Sequence, residues 1–306
     1  MSVLTQKMKK DKHALLEDDA TKKLIDRSLT YIEAGYPVHF TGPSGVGKTT
    51  VALALAKMRK RPVMLMHGNH ELNNRDLIGN FTGYSSKTVI DQYVRSVYKK
   101  DENVSEQWRN GRLLEAVKNG YTLVYDEFTR SKPSTNNLFL SILEEGVLPL
   151  YGTKATEPFV RVHPKFAVIF TSNPAEYAGV YETQDALRDR LITINMTLND
   201  TDKEARILEN KFDLSSDEAK AITSLVHQIR SHYSNENHGP SIRASLMIAR
   251  LTEEADIPIQ GNHQDFQRLC IDILGDGLSR ELDSENPIAD AEERIIEACS
   301  NMRHQS

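Results

Sequence analysis

Along the first two thirds of the chain, short apolar runs alternate with stretches in which apolar residues recur at helical spacing. The runs "PVHFTG", "PVMLMH", "YTLVYDE", "KFAVIFTSN" and "LITINM" predict strands buried on both faces. Between them, "KTTVALALAKM", "GRLLEAVKN", "TNNLFLSILEEG" and "YETQDALRDRL" predict helices. Strands joined in this way by helices predict a five-stranded parallel sheet lying between helical layers, the α/β class. After about Thr197 the strand runs stop, and "TDKEARILENKF", "SSDEAKAITSLVHQIRSHY", "SIRASLMIARLTEEA" and "DFQRLCIDILGDGL" are helical in period. The expected division is therefore an α/β unit over 1–197 and an all-helical unit over 198–306. The end, "DSENPIADAEERIIEACSNMRHQS", reads as a loose linker and a last helix with a frayed terminus.

Two stretches break the alternation. Residues 68–110 are too long for an ordinary connection and hold "GNFTGY", the alternating "TVIDQYVRSVY" and the charged "KKDENVSEQW". They predict an insertion with its own hairpin. The segment "GVLPLYGTKATEPFVRVHPK" predicts a second hairpin, with two extended arms around a Gly/Thr/Lys turn.

Composition narrows the class. The 306 residues suffice for two units with full cores. With 38 Lys and Arg against 43 Asp and Glu, the formal charge of -5 offers no general attraction to nucleic acid or anionic lipid. The short basic runs "KMKKDK" and "KMRKRP" read as solvated helix ends. No apolar run approaches the ~20 residues that span a bilayer, and "MSVLTQKMKKDK" lacks the apolar core of a secretory signal. Cys270 and Cys299 form no CxxC pair, so a reducing cytoplasmic setting is expected, with no nucleic-acid or membrane partner.

Chemistry concentrates in "HFTGPSGVGKTTVALALA". Here a strand, a glycine-rich turn and a helix follow one another, with Gly42, Pro43, Ser44, Gly45, Val46, Gly47, Lys48, Thr49 and Thr50 at the turn. Small residues let backbone N–H groups converge on phosphates, Lys48 adds a cation, Thr49 offers a hydroxyl to magnesium, and the helix directs its positive end at the same anion. Asp126 and Glu127 end the strand "TLVYDE", where doubly wound sheets place ligands. Asp126 suits the metal and Glu127 the attacking water. Asn173 ends another buried strand, and its amide suits alignment of that water or contact with the last phosphate. In "LRDRL", Arg188 and Arg190 are candidates for stabilising charge on a transferring phosphoryl group, and Arg243 in "GPSIRAS" is placed to reach the nucleotide from the helical unit. The cluster His67, His70 and Glu71 in "HGNHE" lacks a second set to complete a metal site and reads as a polar loop, while Trp108 reads as a packing anchor.

These motifs, in this order, resemble the Walker A, Walker B, sensor 1, arginine finger and sensor 2 of AAA+ P-loop ATPases. The stretch "GRLLEAVKNGYTLVYDEFTRSKPSTNNLFLSILEEGVLPL" and the long insertion resemble the MoxR branch. The segments "GNFTGY", "VYDEFTRSKP" and "TSNPAEYAGV" resemble the gas vesicle protein N family, most specifically from about Pro37 to Met196. The resemblance implies ATP and magnesium as cofactors, a helical lid, and a homo-oligomer, a hexameric ring, in which Arg190, with Arg188 as the alternative, acts on nucleotide held by the neighbouring subunit. It also implies a cytoplasmic ATPase that remodels or loads shell proteins during gas vesicle formation, with shell or accessory proteins as partners, and that stays with the vesicle. Many MoxR relatives carry Asn where this chain has Thr129. The alternatives are a chaperone inserting metal or cofactor into a client enzyme, a structural vesicle protein using ATP only as an assembly switch, and a P-loop kinase.

Overall fold

The computed structural model describes residues 19–82, 107–150, 158–174, 179–198, 200–235 and 238–302. Strands β1 (Val38–Thr41), β2 (Val63–His67), β5 (Thr122–Asp126), β8 (Ala167–Ser172) and β9 (Ile192–Asn195) form one parallel sheet in the order β2-β5-β8-β1-β9. The α/β class and five-stranded parallel sheet expected from the pattern are found. Successive side chains of a strand point to opposite faces, and the cores divide accordingly. Val124 and Ile169 face a layer containing α1 (Asp19–Glu33) and α2 (Lys48–Met58). Leu123, Tyr125, Val168 and Phe170 face the other layer, with α4 (Arg112–Asn119) and, beyond α3 (Asn74–Ile78) and the short α5 (Pro133–Asn136), α6 (Leu138–Glu144). On that second face Phe139 and Phe128 meet Phe170 edge-on, with ring centroids 5.2 and 5.0 Å apart. Burial raises the Tyr125 phenol to about 12, and its hydroxyl donates to Asn136 Oδ1 at 3.1 Å.

The register aligns the carboxyl ends that matter. Thr41 of β1 pairs with Ser172 of β8 and Asn195 of β9, and His67 of β2 with Asp126 of β5. The residues that follow those ends therefore emerge at one edge.

Several elements depart from the pattern's expectation. Helix α1 and helix α3 were not anticipated, although Thr21, Ile25, Ser28 and Ile32 of α1 are buried at spacings of one helical turn. Helix α3 is closed by a capping box between Asn73 and Asp76. The single helix expected at "TNNLFLSILEEG" is divided into α5 and α6 at Asn137, whose angles stay helical. The helix expected at "YETQDALRDRL" shortens to α7 (Asp185–Arg188). In the insertion, β3 (Gly79–Thr82) pairs antiparallel with β4 (Gln107–Asn110); "TVIDQYVRSVY" lies outside the described residues. Trp108 of β4 sits over Gly79 and its indole N–H donates to Asn110 Oδ1 at 2.9 Å. The second hairpin is present as β6 (Val147–Pro149) against β7 (Phe159–Arg161), with its turn outside the described residues.

From Thr201 onward come α8 (Thr201–Lys211), α9 (Ser216–Arg230), α10 (Ile242–Ala255), α11 (Gln264–Ser279) and α12 (Pro287–Ser300). Their starts are written locally. Asp200 caps α8, Ser215 and Glu218 form a capping box on α9, Ser241 caps α10, and Pro287 occupies the first turn of α12. They enclose a separate core around Leu208, Ile222, Val226, Ile248, Phe266 and Ile295. Cys270 of α11 and Cys299 of α12 are both buried as free thiols, with a hydrogen bond between them that, together with burial, raises the Cys270 thiol.

Candidate functional site

A cleft of about 890 Å³ lies at the carboxyl edge of the sheet, between α1, α2 and the helical unit. The turn after β1 borders it. Gly42, Gly45 and Gly47 have φ of 149, 85 and 90°, so the turn uses backbone conformations that side chains with a Cβ rarely adopt. At Gly45 the space is also taken, because a Cβ there would lie 2.6 Å from the Cβ of Ser241 in the helical unit.

Ser44, Gly45, Gly47, Lys48, Thr49 and Thr50 line the cleft, together with Asp126, Glu127, Asn173 and Arg243. Gly42 and Pro43 contribute differently: their carbonyls accept from the buried Lys48 Nζ at 2.8 and 2.6 Å. Val46 is buried and lines a neighbouring cavity of about 690 Å³ between α1, β9 and α8. The first turn of α2 carries no acidic residue and Gly47 gives no side-chain cap, so the positive end of that helix is not answered by its own side chains.

The two distant acidic and hydroxyl motifs meet. Thr49 Oγ1 donates to Asp126 Oδ1 at 2.7 Å, and Thr171 Oγ1 donates to the same oxygen at 2.5 Å. His67 Nδ1 lies 3.3 Å from Asp126 Oδ2. Thr171 also accepts from the Glu127 N–H at 2.9 Å, which sets the backbone after β5. Glu127 itself has a φ of 51°, a strained left-handed conformation for a residue with a Cβ, and its Oε2 lies 2.7 Å from Arg130 Nε. Asn173 is buried at the end of β8. From the helical unit, Arg243 Nη1 donates to Ser44 Oγ at 2.6 Å.

Arg188 and Arg190 are not brought into this cleft. Arg190 Nη2 pairs with Glu144 at 2.8 Å and Nη1 donates to the Ala186 carbonyl. Arg188 pairs with Asp185 at 3.3 Å and donates to the Thr183 carbonyl at 3.1 Å. Arg188 and the buried Thr129 line a separate cavity of about 420 Å³ with His39, Ser172 and Tyr181. His39, enclosed at the sheet, contacts Ser172 Oγ at 2.8 Å and Thr193 Oγ1 at 3.2 Å, and burial lowers it to about 4. His70 meets the ring of Tyr181 edge-on, and Glu71 joins a turn closed by Asn69.

Sequence reasoning missed part of the wall. Lys22, Ile25 and Asp26 of α1, Lys57 and Met58 of α2, and Lys211 of α8 line the cleft. The turn-spaced apolar residues of "LIDRSLTYI" were the available signal for α1; for Lys211 there was none. The donor set fits what was expected of it. An oxygen pair from Thr49 and Asp126 suits a hard divalent cation, and glycine backbone beside a buried lysine suits phosphate.

A strand, phosphate-type loop and helix feeding a parallel sheet, with an acidic pair on the next strand but one and a helical unit over the cleft, define a P-loop ATPase of the AAA class. Residues 37–191 match the AAA domain of the dynein-related subfamily. The chain is 41% identical over 259 residues to the gas vesicle ATPase GvpN of Ancylobacter aquaticus, covering 85% of this chain and 72% of that protein. It is 36% identical over 275 residues to the gas vesicle ATPase GvpN2 of Halobacterium salinarum, with 90% and 78% covered. It is 35% identical over 284 residues to the gas vesicle ATPase GvpN of Haloferax mediterranei, with 92% and 80% covered. The chain belongs to the gas vesicle ATPase GvpN family.

Proposed function

We propose that the cleft binds ATP with magnesium and that hydrolysis drives assembly of the gas vesicle shell. The observation that carries the site is the 2.7 Å contact between Thr49 and Asp126, which joins residues 77 apart in sequence beside the buried Lys48. In this reading the loop Gly42–Thr50 cradles the phosphates, and Lys48 exchanges the carbonyls of Gly42 and Pro43 for phosphate oxygens. Thr49 and Asp126 hold magnesium, which when bound neutralises charge on those oxygens. Glu127 leaves Arg130 and orients the attacking water as its base, while Asn173 aligns it. Arg243 reads nucleotide from the helical unit, through the same reach that now takes it to Ser44.

Arg190 does not line the cleft of its own chain and is held by Glu144, which supports a role on a neighbouring copy, with Arg188 as the alternative. We infer a homo-oligomer, a hexameric ring, in which the seam between copies completes the site. The units 1–197 and 198–306 would then shift against each other on turnover and so remodel or load shell proteins, in the cytoplasm or on the vesicle. The names of the relatives support the vesicle context. Among the described residues no helix is long and apolar enough to cross a membrane.

The test replaces the chromosomal copy by Glu127→Gln in a vesicle-forming host and assays the purified variant. The expected result is retained ATP binding, phosphate release lost, and no vesicles. Normal vesicles without turnover would make ATP an assembly switch and overturn the hydrolysis-driven reading.

A further inference from the structure

An ion pair is buried inside the helical unit, away from the cleft. Arg230, the last residue of α9, is 2% exposed, and its Nη2 lies 3.2 Å from Oε1 of Glu204 on α8, also 2% exposed. Its Nε donates to the carbonyl of Pro240 at 2.8 Å. Pro240 directly precedes Ser241, the cap of α10, whose Oγ accepts from the Arg243 N–H at 3.3 Å. Ser241 is also the residue that fills the space over Gly45, and Arg243 reaches Ser44 at 2.6 Å. One guanidinium therefore ties together α8, which sends Ile207 and Lys211 to the cleft, the end of α9, and the turn that delivers Ser241 and Arg243.

Two charges in a protein interior lose hydration that their attraction only partly returns, and apolar side chains of similar volume hold a core as well or better. What the pair adds is direction. The connection from Ser231 to Pro240 is long for a link between packed helices, and its end has to be placed by something other than its own length. Pro240 brings no N–H, so its carbonyl is the backbone handle at that point; Arg230 Nε donates to it while Nη2 of the same rigid guanidinium is paired with Glu204.

We propose that Arg230, with Glu204 as its counter-charge, is a positioning residue for nucleotide binding: it sets the Pro240–Arg243 turn against the phosphate loop and acts through Arg243. The inference rests on the reading of the cleft as a nucleotide site. Neither residue is among the lining of that cleft, and their effect is transmitted through the backbone of one turn.

The experiment uses the full chain and magnesium-ADP as probe. The paired replacement Glu204→Leu with Arg230→Met removes both charges together, so neither is left buried alone. Four proteins are compared by thermal unfolding and by calorimetric titration: the parent, Arg243→Ala, the paired variant, and the paired variant carrying Arg243→Ala. The paired variant is expected to melt close to the parent yet bind ADP about tenfold more weakly. Adding Arg243→Ala to it should weaken binding no further than Arg243→Ala does alone. Amide exchange at Ser241 to Ala244, measured without nucleotide, should be faster in the paired variant. Unchanged ADP affinity in a well-folded paired variant, or an equal fold-loss from Arg243→Ala in both backgrounds, overturns the proposal. Should the paired variant unfold, Arg230→Lys replaces it; a folded Arg230→Lys protein with parent affinity and parent exchange is equally adverse. A parent that takes up no ADP overturns the nucleotide reading instead, and the exchange measurement in nucleotide-free protein still decides whether Arg230 positions the turn.

Discussion

The carboxyl edge of the sheet and the arm from Asp185 to Arg190 both carry charged residues expected to act on phosphate, yet they are arranged in opposite ways. At the sheet edge, Lys48, Thr49, Asp126 and Asn173 are gathered around one cleft, and their mutual contacts are of a kind a ligand can replace: Lys48 on loop carbonyls, Thr49 on Asp126. On the arm, Arg190 is tied to Glu144 and the Ala186 carbonyl and Arg188 to Asp185, all within the same chain and outside that cleft. The contrast teaches that a single chain organises the ground for binding, while the group expected to stabilise transfer is stored elsewhere. Between the two regions lies His39, bonded to Ser172 just before Asn173 and to Thr193 just after the arm.

The largest effect should come from the arm. Arg190→Ala is expected to lower ATP turnover by about a thousandfold while ADP affinity stays at the parent value. Mixing it with a Lys48→Ala chain should restore part of the turnover, because each copy then lends what the other lacks; no restoration would break the contrast by making the arm act within its own chain. Next, Glu127→Gln should reduce turnover by a few hundredfold with binding retained, read in the same steady-state and calorimetric assays. A comparable loss of binding would show that Glu127 belongs to the cradle instead.

The bridge gives a pH dependence. His39 falls from 6.5 to about 4 in the folded chain, so between those values the unfolded chain binds more protons and stability drops as the pH is lowered. The expected loss is about 3–4 kcal/mol across that window, roughly three hundredfold in the folding constant. It is measured by urea unfolding at steps of pH as the difference between the parent and His39→Gln; identical profiles would remove His39 from the account. The smallest effect is assigned to Gly45→Ala. Its Cβ would strike Ser241 in a left-handed backbone, so ADP affinity should fall about tenfold and the melting temperature should drop modestly.

What was legible in the sequence was what is local. The run from β1 through the glycine turn into α2 is consecutive chain, so strand period, turn chemistry and helix period could all be read from neighbouring letters. Asp126 and Asn173 were legible as the polar ends of apolar strands. What could not be read was supplied by distant chain. Thr171 serves Asp126 because β5 and β8 are neighbours in the sheet, and Lys211 lines the cleft because α8 folds back over it. The division between α5 and α6 left the helical period nearly intact, since Asn137 keeps helical angles, and so gave no break in the pattern. The Arg230 and Glu204 pair was invisible for a different reason: each residue, taken alone, looks like the charged face of an exposed helix.

The helical unit also carries its own chemical clock. Cys270 and Cys299 are fully enclosed between α11 and α12, so a maleimide or disulfide reagent can reach them only while that bundle is open. The rate of modification therefore reports the open fraction of the bundle, or the frequency of opening once reagent is concentrated enough to outpace reclosing, in the unaltered protein and with nothing attached to it. Run beside the nucleotide titrations, it separates a weakened grip on phosphate from a bundle that has simply come apart.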